Sequence, residues 1–239
     1  MGCFLGLDVA TGVWTRNDAE SCAERFRPFS TYKIPHALIG LETGVLADAS
    51  TVIEWDTEQY PAESWWPAEW KGRHDLRSAV THSVVPYFRT LAGRIGAEQM
   101  QKYVDSFAYG NRTITGGLDH FWLDGDLAIS AEEQIAFLGA LHQGSLPVSS
   151  RSRDIVLDIL VRDRGPGHVL RGKTGTGRLP DGSVLGWYVG SVETPDGLYL
   201  FALNIRGSDY GDIPRQERIA TSEAILTDLG VLPRDRAKR

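Results

Sequence analysis

The sequence predicts an α+β fold: an antiparallel sheet built from strands at both chain ends, flanked by helices, plus a mainly helical subdomain. Three observations predict it. Near the start, Cys3 to Val9 and Val13 to Thr15 read as two strands turned by Ala10-Thr11-Gly12. Late in the chain, His168-Val169-Leu170, Leu185 to Val192 and Leu198 to Ile205 read as strands. Turns at Pro180-Asp181-Gly182 and Pro195-Asp196-Gly197 separate them, which implies a meander. Between these ends, apolar residues recur mainly at helical spacing.

In order, residues 17–28 read as polar loop after the first hairpin. A helix from Ser30 to about Glu42 carries Ile34, Ala37, Leu38 and Leu41 at helical spacing, with Gly44 suited to the position after its end. Pro35 falls early in it, where a proline is tolerated. Residues 46–76 are irregular and rich in aromatics (Trp55, Tyr60, Trp65, Trp66, Trp70), a loop that packs its own rings or lines a cleft. Leu76 to Leu91 has helical periodicity interrupted by Pro86, and Ala97 to Phe107 is amphipathic. Tyr109 to Gly117 is loop. Ser130-Ala131-Glu132-Glu133 is a capping box opening the helix Glu132 to Leu141, and a further helix runs from Ser149 to Val161. Arg218 to Leu229 closes the chain, stopped by Gly230. The expectation is a single domain over 1–239. Its sheet subdomain comes from about 1–29 and 165–239, its helical subdomain from about 46–164.

Composition bounds the function. A chain of 239 residues, 42% hydrophobic and 23% charged, is ordinary soluble globular material that can bury a sizeable core. No apolar run approaches membrane-spanning length. Net charge is −6, so no nucleic-acid footprint is present; the one basic cluster, Arg234 to Arg239, reads as a disordered tail. The six histidines are scattered without ligand spacing, which argues against a metal site. Cys3 and Cys22 can pair once at most, and the sequence leaves open whether they do. The first residues lack the basic region and long apolar stretch of a signal peptide, so either the protein is cytoplasmic or a leader has been removed.

The chemistry centres on Ser30-Thr31-Tyr32-Lys33 at a helix start. Residues three apart share a helix face, so the Lys33 amine can reach the Ser30 hydroxyl. A desolvated lysine can act as the base that activates a serine nucleophile, and free N–H groups at a helix start can hold an acyl oxyanion. Gly167 to Thr174 fits a phosphate-loop pattern, but the glycines, proline and turn after it cannot open the helix that such a loop requires. Lys173-Thr174-Gly175 reads instead as a strand edge beside a cleft, offering a fixed charge, a hydroxyl and close backbone approach.

Ser30-x-x-Lys33 early and Lys173-Thr174-Gly175 late resemble the penicillin-recognising serine acyl-transfer superfamily. Ser83-Val84-Val85-Pro86, Tyr109-Gly110-Asn111, Phe121-Trp122-Leu123 and Gly186-Trp187-Tyr188-Val189-Gly190 narrow this to a class D (oxacillinase-type) serine β-lactamase, over nearly the whole chain. The resemblance implies the β-lactamase/transpeptidase-like fold and hydrolysis of β-lactam antibiotics through an acyl-serine intermediate. Ser30 resembles the nucleophile. Lys33 resembles the lysine that takes up carbon dioxide as a carbamate and acts as general base. Trp122 resembles the indole donating to that carbamate. Ser83 resembles the hydroxyl passing a proton to the leaving nitrogen, and Lys173 the cation beside it. The backbone N–H groups of Ser30 and Thr176 would form the oxyanion hole; Val85 and Leu123 look like the apolar lid over Lys33; Thr174 and Gly175 line the substrate; Tyr109 reads as structural. Ser78-Ala79-Val80 also fits the Ser-x-Val pattern, but Pro86 and an aromatic follow Ser83, as is common in the family.

The substrate carboxylate needs a cation, and the resemblance implies an arginine at the start of the closing helix. Arg215 and Arg218 both lie there, and the spacing to Gly230-Val231-Leu232-Pro233 favours Arg218. His36 and Tyr32 depart from the family's usual asparagine and phenylalanine, flanking the nucleophile without supplying chemistry. The resemblance further implies no cofactor beyond carbon dioxide or bicarbonate for Lys33. It implies a β-lactam as small-molecule partner, a monomer or homodimer, and a periplasmic or secreted location. The rival reading within the superfamily is a penicillin-binding sensor domain that deacylates slowly.

Overall fold

The computed structural model describes residues 2–234. In chain order, β1 (Gly2–Asp8) and β2 (Trp14–Arg16) form the first hairpin, followed by α1 (Ala19–Ala23), a 3-10 turn over Phe29–Tyr32, and α2 (Lys33–Glu42). A small two-stranded sheet, β3 (Val52–Ile53) and β4 (His74–Asp75), precedes α3 (Leu76–His82), α4 (Val85–Ile95) and α5 (Ala97–Ser106). Next come α6 (Ala131–Gln143), α7 (Ser150–Ile159), β5 (Val161–Gly165), β6 (His168–Arg178), β7 (Val184–Thr194), β8 (Gly197–Gly207) and α8 (Arg215–Asp228).

The large sheet has the order β2-β1-β8-β7-β6-β5, and every neighbouring pair is antiparallel. Leu5 of β1 lies opposite Ala202 of β8, so the first hairpin joins the late meander, as the sequence predicts. β7 is buried on both faces. Leu185, Trp187 and Val189 join the large core shared with the helices; Tyr188 and Val192 join a smaller cluster with Phe201 and Leu226 of α8. Burial on both faces explains the near-continuous apolar run of this strand.

Four local readings change. Residues 17–28 are not all loop: α1 is capped by Asp18, which accepts from Glu20 N, and it buries Cys22. Cys22 is bonded to Cys3, which fastens α1 to β1. A helix this short shows no periodicity in sequence and is held by its cap and its cross-link. The helix expected to reach Val161 ends at Ile159, and Val161 opens β5. That edge strand is mostly polar, so alternation does not reveal it. The segment 76–91 breaks at Ser83 and not at Pro86. Ser83 takes a left-handed conformation (φ 61°), while Pro86 lies in the first turn of α4, where its missing N–H costs nothing. Ser83 therefore sits between two helices rather than on one. Finally, α8 starts at Arg215, ahead of the expected Arg218. The capping box of α6 forms as read, with Ser130 accepting from Glu133 N at 3.1 Å and donating its own N–H to Glu133 Oε2 at 2.9 Å. The basic cluster after Arg234 lies outside the described residues.

In the aromatic loop, Tyr60, Trp66 and Trp70 are buried, and the Trp66 and Trp70 rings meet edge-on at 5.7 Å. Trp70 Nε1 donates to His82 O at 2.9 Å, which ties the loop to the turn that presents Ser83.

Candidate active site

Four chain segments converge where the 3-10 turn meets β6. Phe29 has φ 48°, an uncommon conformation for a residue with a side chain, and its ring fills the space over Gly177 of β6. A β-carbon on Gly175 would lie 2.8 Å from Pro28 O and 3.1 Å from Ser30 N, so a glycine is what lets the strand run against the nucleophile turn. Beyond Gly172 the outer edge of β6 is paired with no strand, because β5 reaches only Arg171. Thr31 Oγ1 donates to Pro28 O at 2.7 Å and accepts from buried Gln134 Nε2 at 2.9 Å, which pins the turn from α6.

Lys33, the first residue of α2, is fully buried, and its Nζ donates to Ser30 Oγ at 2.8 Å. Burial draws its pKa down to about 7, because desolvation penalises the ammonium form. Its amine also lies 5.2 Å from the Phe88 ring centroid. Lys173 is buried too. Its Nζ donates to Ser83 Oγ at 2.8 Å and to Thr174 O at 2.9 Å. Burial first, and then the charge of Lys33, push its pKa well below the usual lysine value. The site thus pairs two serines with two desolvated lysines.

Trp122 is fully buried, and its backbone oxygen accepts from Phe29 N at 3.0 Å. Its indole stacks on Tyr32 at 5.8 Å and meets the His36 ring at 5.0 Å. Its Nε1 is buried without a hydrogen-bond partner, a donor aimed at no acceptor of the protein. Val85 opens α4 one turn before Phe88 and is buried; Leu123 is half-buried beside Trp122. Tyr109 is buried with its ring 5.5 Å from Tyr32. Ser78, the alternative to Ser83, caps α3 with Asp75 and takes no part in the cleft contacts.

Arg218 is 2% exposed, whereas Arg215 is exposed on α8. The Arg218 side chain lies across β7 at Gly186, where a β-carbon would collide with its guanidinium. Its Nη2 donates to Thr176 Oγ1 at 2.7 Å, while Nε and Nη1 are buried without partners. Burial and the nearby charge of Arg215 lower its pKa to about 10, so it stays cationic at neutral pH. A buried cation with two unused donors is a fitted receptor for a carboxylate. Direct contacts thus join Ser30 with Lys33, Ser83 with Lys173, and Arg218 with Thr176; Trp122 joins the nucleophile turn through its backbone and through Tyr32. His36 and Phe88 were not singled out by sequence reasoning as part of this pocket. The sequence reads His36 as flanking the nucleophile, at the family's usual asparagine position, without supplying chemistry, and for Phe88 nothing local exists. Among the described residues, no group of three or more histidines, cysteines, aspartates or glutamates could hold a metal ion. No described helix is long and apolar enough to cross a membrane.

Comparison with known proteins gives consistent findings. Residues 10–229 match the penicillin binding protein transpeptidase domain. The chain is 37% identical to β-lactamase OXA-10 of Pseudomonas aeruginosa, over 97% of this chain and 85% of that protein. It is 34% identical to the regulatory protein BlaR1 of Bacillus licheniformis, over 97% of this chain but 37% of that protein. Among solved structures, a class D β-lactamase from Nostoc superposes with a TM-score of 0.90 at 35% identity, covering 97% of this chain and 95% of that one.

Proposed function

The chain belongs to the penicillin-binding transpeptidase-domain family and, within it, to the class D β-lactamases; from that premise we propose that it hydrolyses β-lactams through an acyl-Ser30 intermediate with carboxylated Lys33 as general base. The observation that carries this reading is the 2.8 Å contact from a buried, pKa-lowered Lys33 to Ser30 Oγ. In acylation, Ser30 Oγ bonds to the lactam carbonyl carbon and its proton passes to the base on Lys33. The carbonyl oxygen becomes an oxyanion, held by the N–H groups of Ser30 and Thr176. The lactam C–N bond then breaks; Ser83, kept polarised by Lys173, gives its proton to the departing nitrogen, and the proton taken up at Lys33 passes on to Ser83, so that Lys33 is free to act again. Arg218, Thr174 and Thr176 hold the substrate carboxylate, and Val85 and Leu123 limit the water that reaches Lys33. A water deprotonated at Lys33 attacks the ester, and its cleavage returns Ser30.

Carbon dioxide, bonded to the neutral amine with loss of one proton, supplies an anionic base in place of an amine. The pocket fits that group: its anion needs a donor inside an apolar enclosure, and Trp122 Nε1 is a buried donor without a partner. Periplasmic or secreted location follows the family.

The match to BlaR1 favours one second reading, a sensor that keeps its acyl group. Mixing the protein with a penicillin and following intact mass tests both. We expect the drug's mass on a peptide containing Ser30, absent in Ser30→Ala, and decaying as product accumulates. An adduct that persists for hours would make the protein a sensor, and an adduct on Ser78 would overturn the assignment of the nucleophile.

A further inference from the structure

Resting on the carboxylated-lysine reading above, we infer that His36 is a positioning residue for the anion borne by Lys33, offering a second ring N–H beside the Trp122 indole. Three buried nitrogens without partners gather where Trp122 packs on the first turn of α2: Trp122 Nε1, His36 Nδ1 and His36 Nε2. His36 stands on α2 one turn after Lys33 and is fully buried. Its ring lies 5.0 Å from Trp122, 5.3 Å from Phe88 and 5.4 Å from Tyr32. The Lys33 amine lies 5.2 Å from that same Phe88 ring, so Lys33 and His36 share a helix face closed over by Phe88.

A neutral imidazole always carries one N–H donor and one acceptor. Burying both without partners costs free energy, and an apolar side chain of similar size would pack here without that cost. The cost is offset when the pocket holds an anion that takes the N–H. Burial, the larger cause, and then the charge of an uncarboxylated Lys33 draw the ring's pKa down to about 3, and the burial persists when Lys33 bears the anion. It therefore donates without adding a cation of its own. Tyr32 and His36, one turn apart, also grip the Trp122 indole from two sides, one stacked and one edge-on, which fixes the direction of Nε1.

The test is a titration with carbon-13-labelled bicarbonate, reading the carbamate signal by NMR, with melting temperature measured separately in bicarbonate-free buffer. The proteins are the parent, His36→Leu and His36→Asn, the last restoring an N–H. We expect His36→Leu to raise the half-saturating bicarbonate about tenfold or more, the worth of one hydrogen bond to a charged group. Its melting temperature should equal or exceed the parent's, since an unpartnered polar group has gone, and His36→Asn should recover carbamate occupancy. Parent-like occupancy in His36→Leu overturns the inference. So does a fall in both occupancy and melting temperature that His36→Asn does not reverse, which is what a purely structural role would give. If His36→Leu does not fold, His36→Met carries the same comparison. A parent without any carbamate signal at saturating bicarbonate overturns the Lys33 reading itself, which distinguishes that failure from failure of His36 alone.

Discussion

At the scale of single residues, Lys33 has to be neutral to take up carbon dioxide in the proposed mechanism, and burial favours that form. With its pKa near 7, the neutral fraction falls about tenfold for each pH unit below that value. Hydrolysis of a chromogenic cephalosporin should therefore decline on the acid side of pH 7, and added bicarbonate should partly restore it. Lys33→Ala should still acylate slowly, if at all, and any ester it forms should persist. Full activity at pH 5 that ignores bicarbonate would sink this account of the base. Arg218 makes a second residue-scale prediction. Loss of a two-pronged carboxylate contact costs about 2–4 kcal/mol, or roughly 30- to 1,000-fold in kcat/KM. That loss is expected of Arg218→Ala and not of exposed Arg215→Ala. Gly186→Ala should mimic Arg218→Ala, because the added methyl occupies the space of the guanidinium. The opposite ranking of the two arginines would move the anchor to Arg215.

At the scale of elements, α1 depends on what ties it down. It is too short to persist alone, and the Cys3–Cys22 bond closes a loop of sequence separation 19. Closing a loop of that length stabilises by about 3 kcal/mol in the chain-entropy account. Replacing both cysteines by alanine should lower the melting temperature by roughly 6–12 °C for a chain of this size. An unchanged melting temperature would show that β1 holds α1 without the cross-link. The break at Ser83 is the other element that matters. Ending α3 in a left-handed residue and restarting the helix at Val85 turns the Ser83 hydroxyl toward Lys173 on a distant strand. Trp70, bonded to His82 O, braces that turn from the aromatic loop.

At the scale of the whole molecule, one core runs from Cys3 and Leu5 through the helices to Trp187 and Leu200. The sheet and the helical segment therefore share the larger core, while a smaller cluster lies on the sheet's other face against α8. A single calorimetric transition is expected, with the enthalpy from the peak area matching that from its sharpness. Two separated peaks would mean that the sheet and the helical part unfold independently. The candidate site lies on the seam of this shared core. That is why Ser30, Ser83, Trp122 and Lys173 come from segments far apart in sequence yet sit in rigid surroundings.

The sequence by itself determined much of this protein. Strand patterning and Pro-Asp-Gly turns gave the late meander, the helical spacing around Ser30 and Lys33 gave their contact, and Ser130 with Glu133 gave the start of α6. Each of these rests on interactions within a few residues, which local pattern encodes. Only the tertiary structure decided the rest. It chose Arg218 as the buried arginine, because burial depends on Gly186 across the sheet. It paired Cys3 with Cys22 and formed β5, whose partners lie on other elements. It also enclosed His36 between Phe88 and Trp122, making a residue read only as flanking the nucleophile part of the Lys33 pocket. Desolvation is a property of everything packed around a group, so the lowered pKa values of Lys33 and Lys173 belong to the fold and to no stretch of sequence.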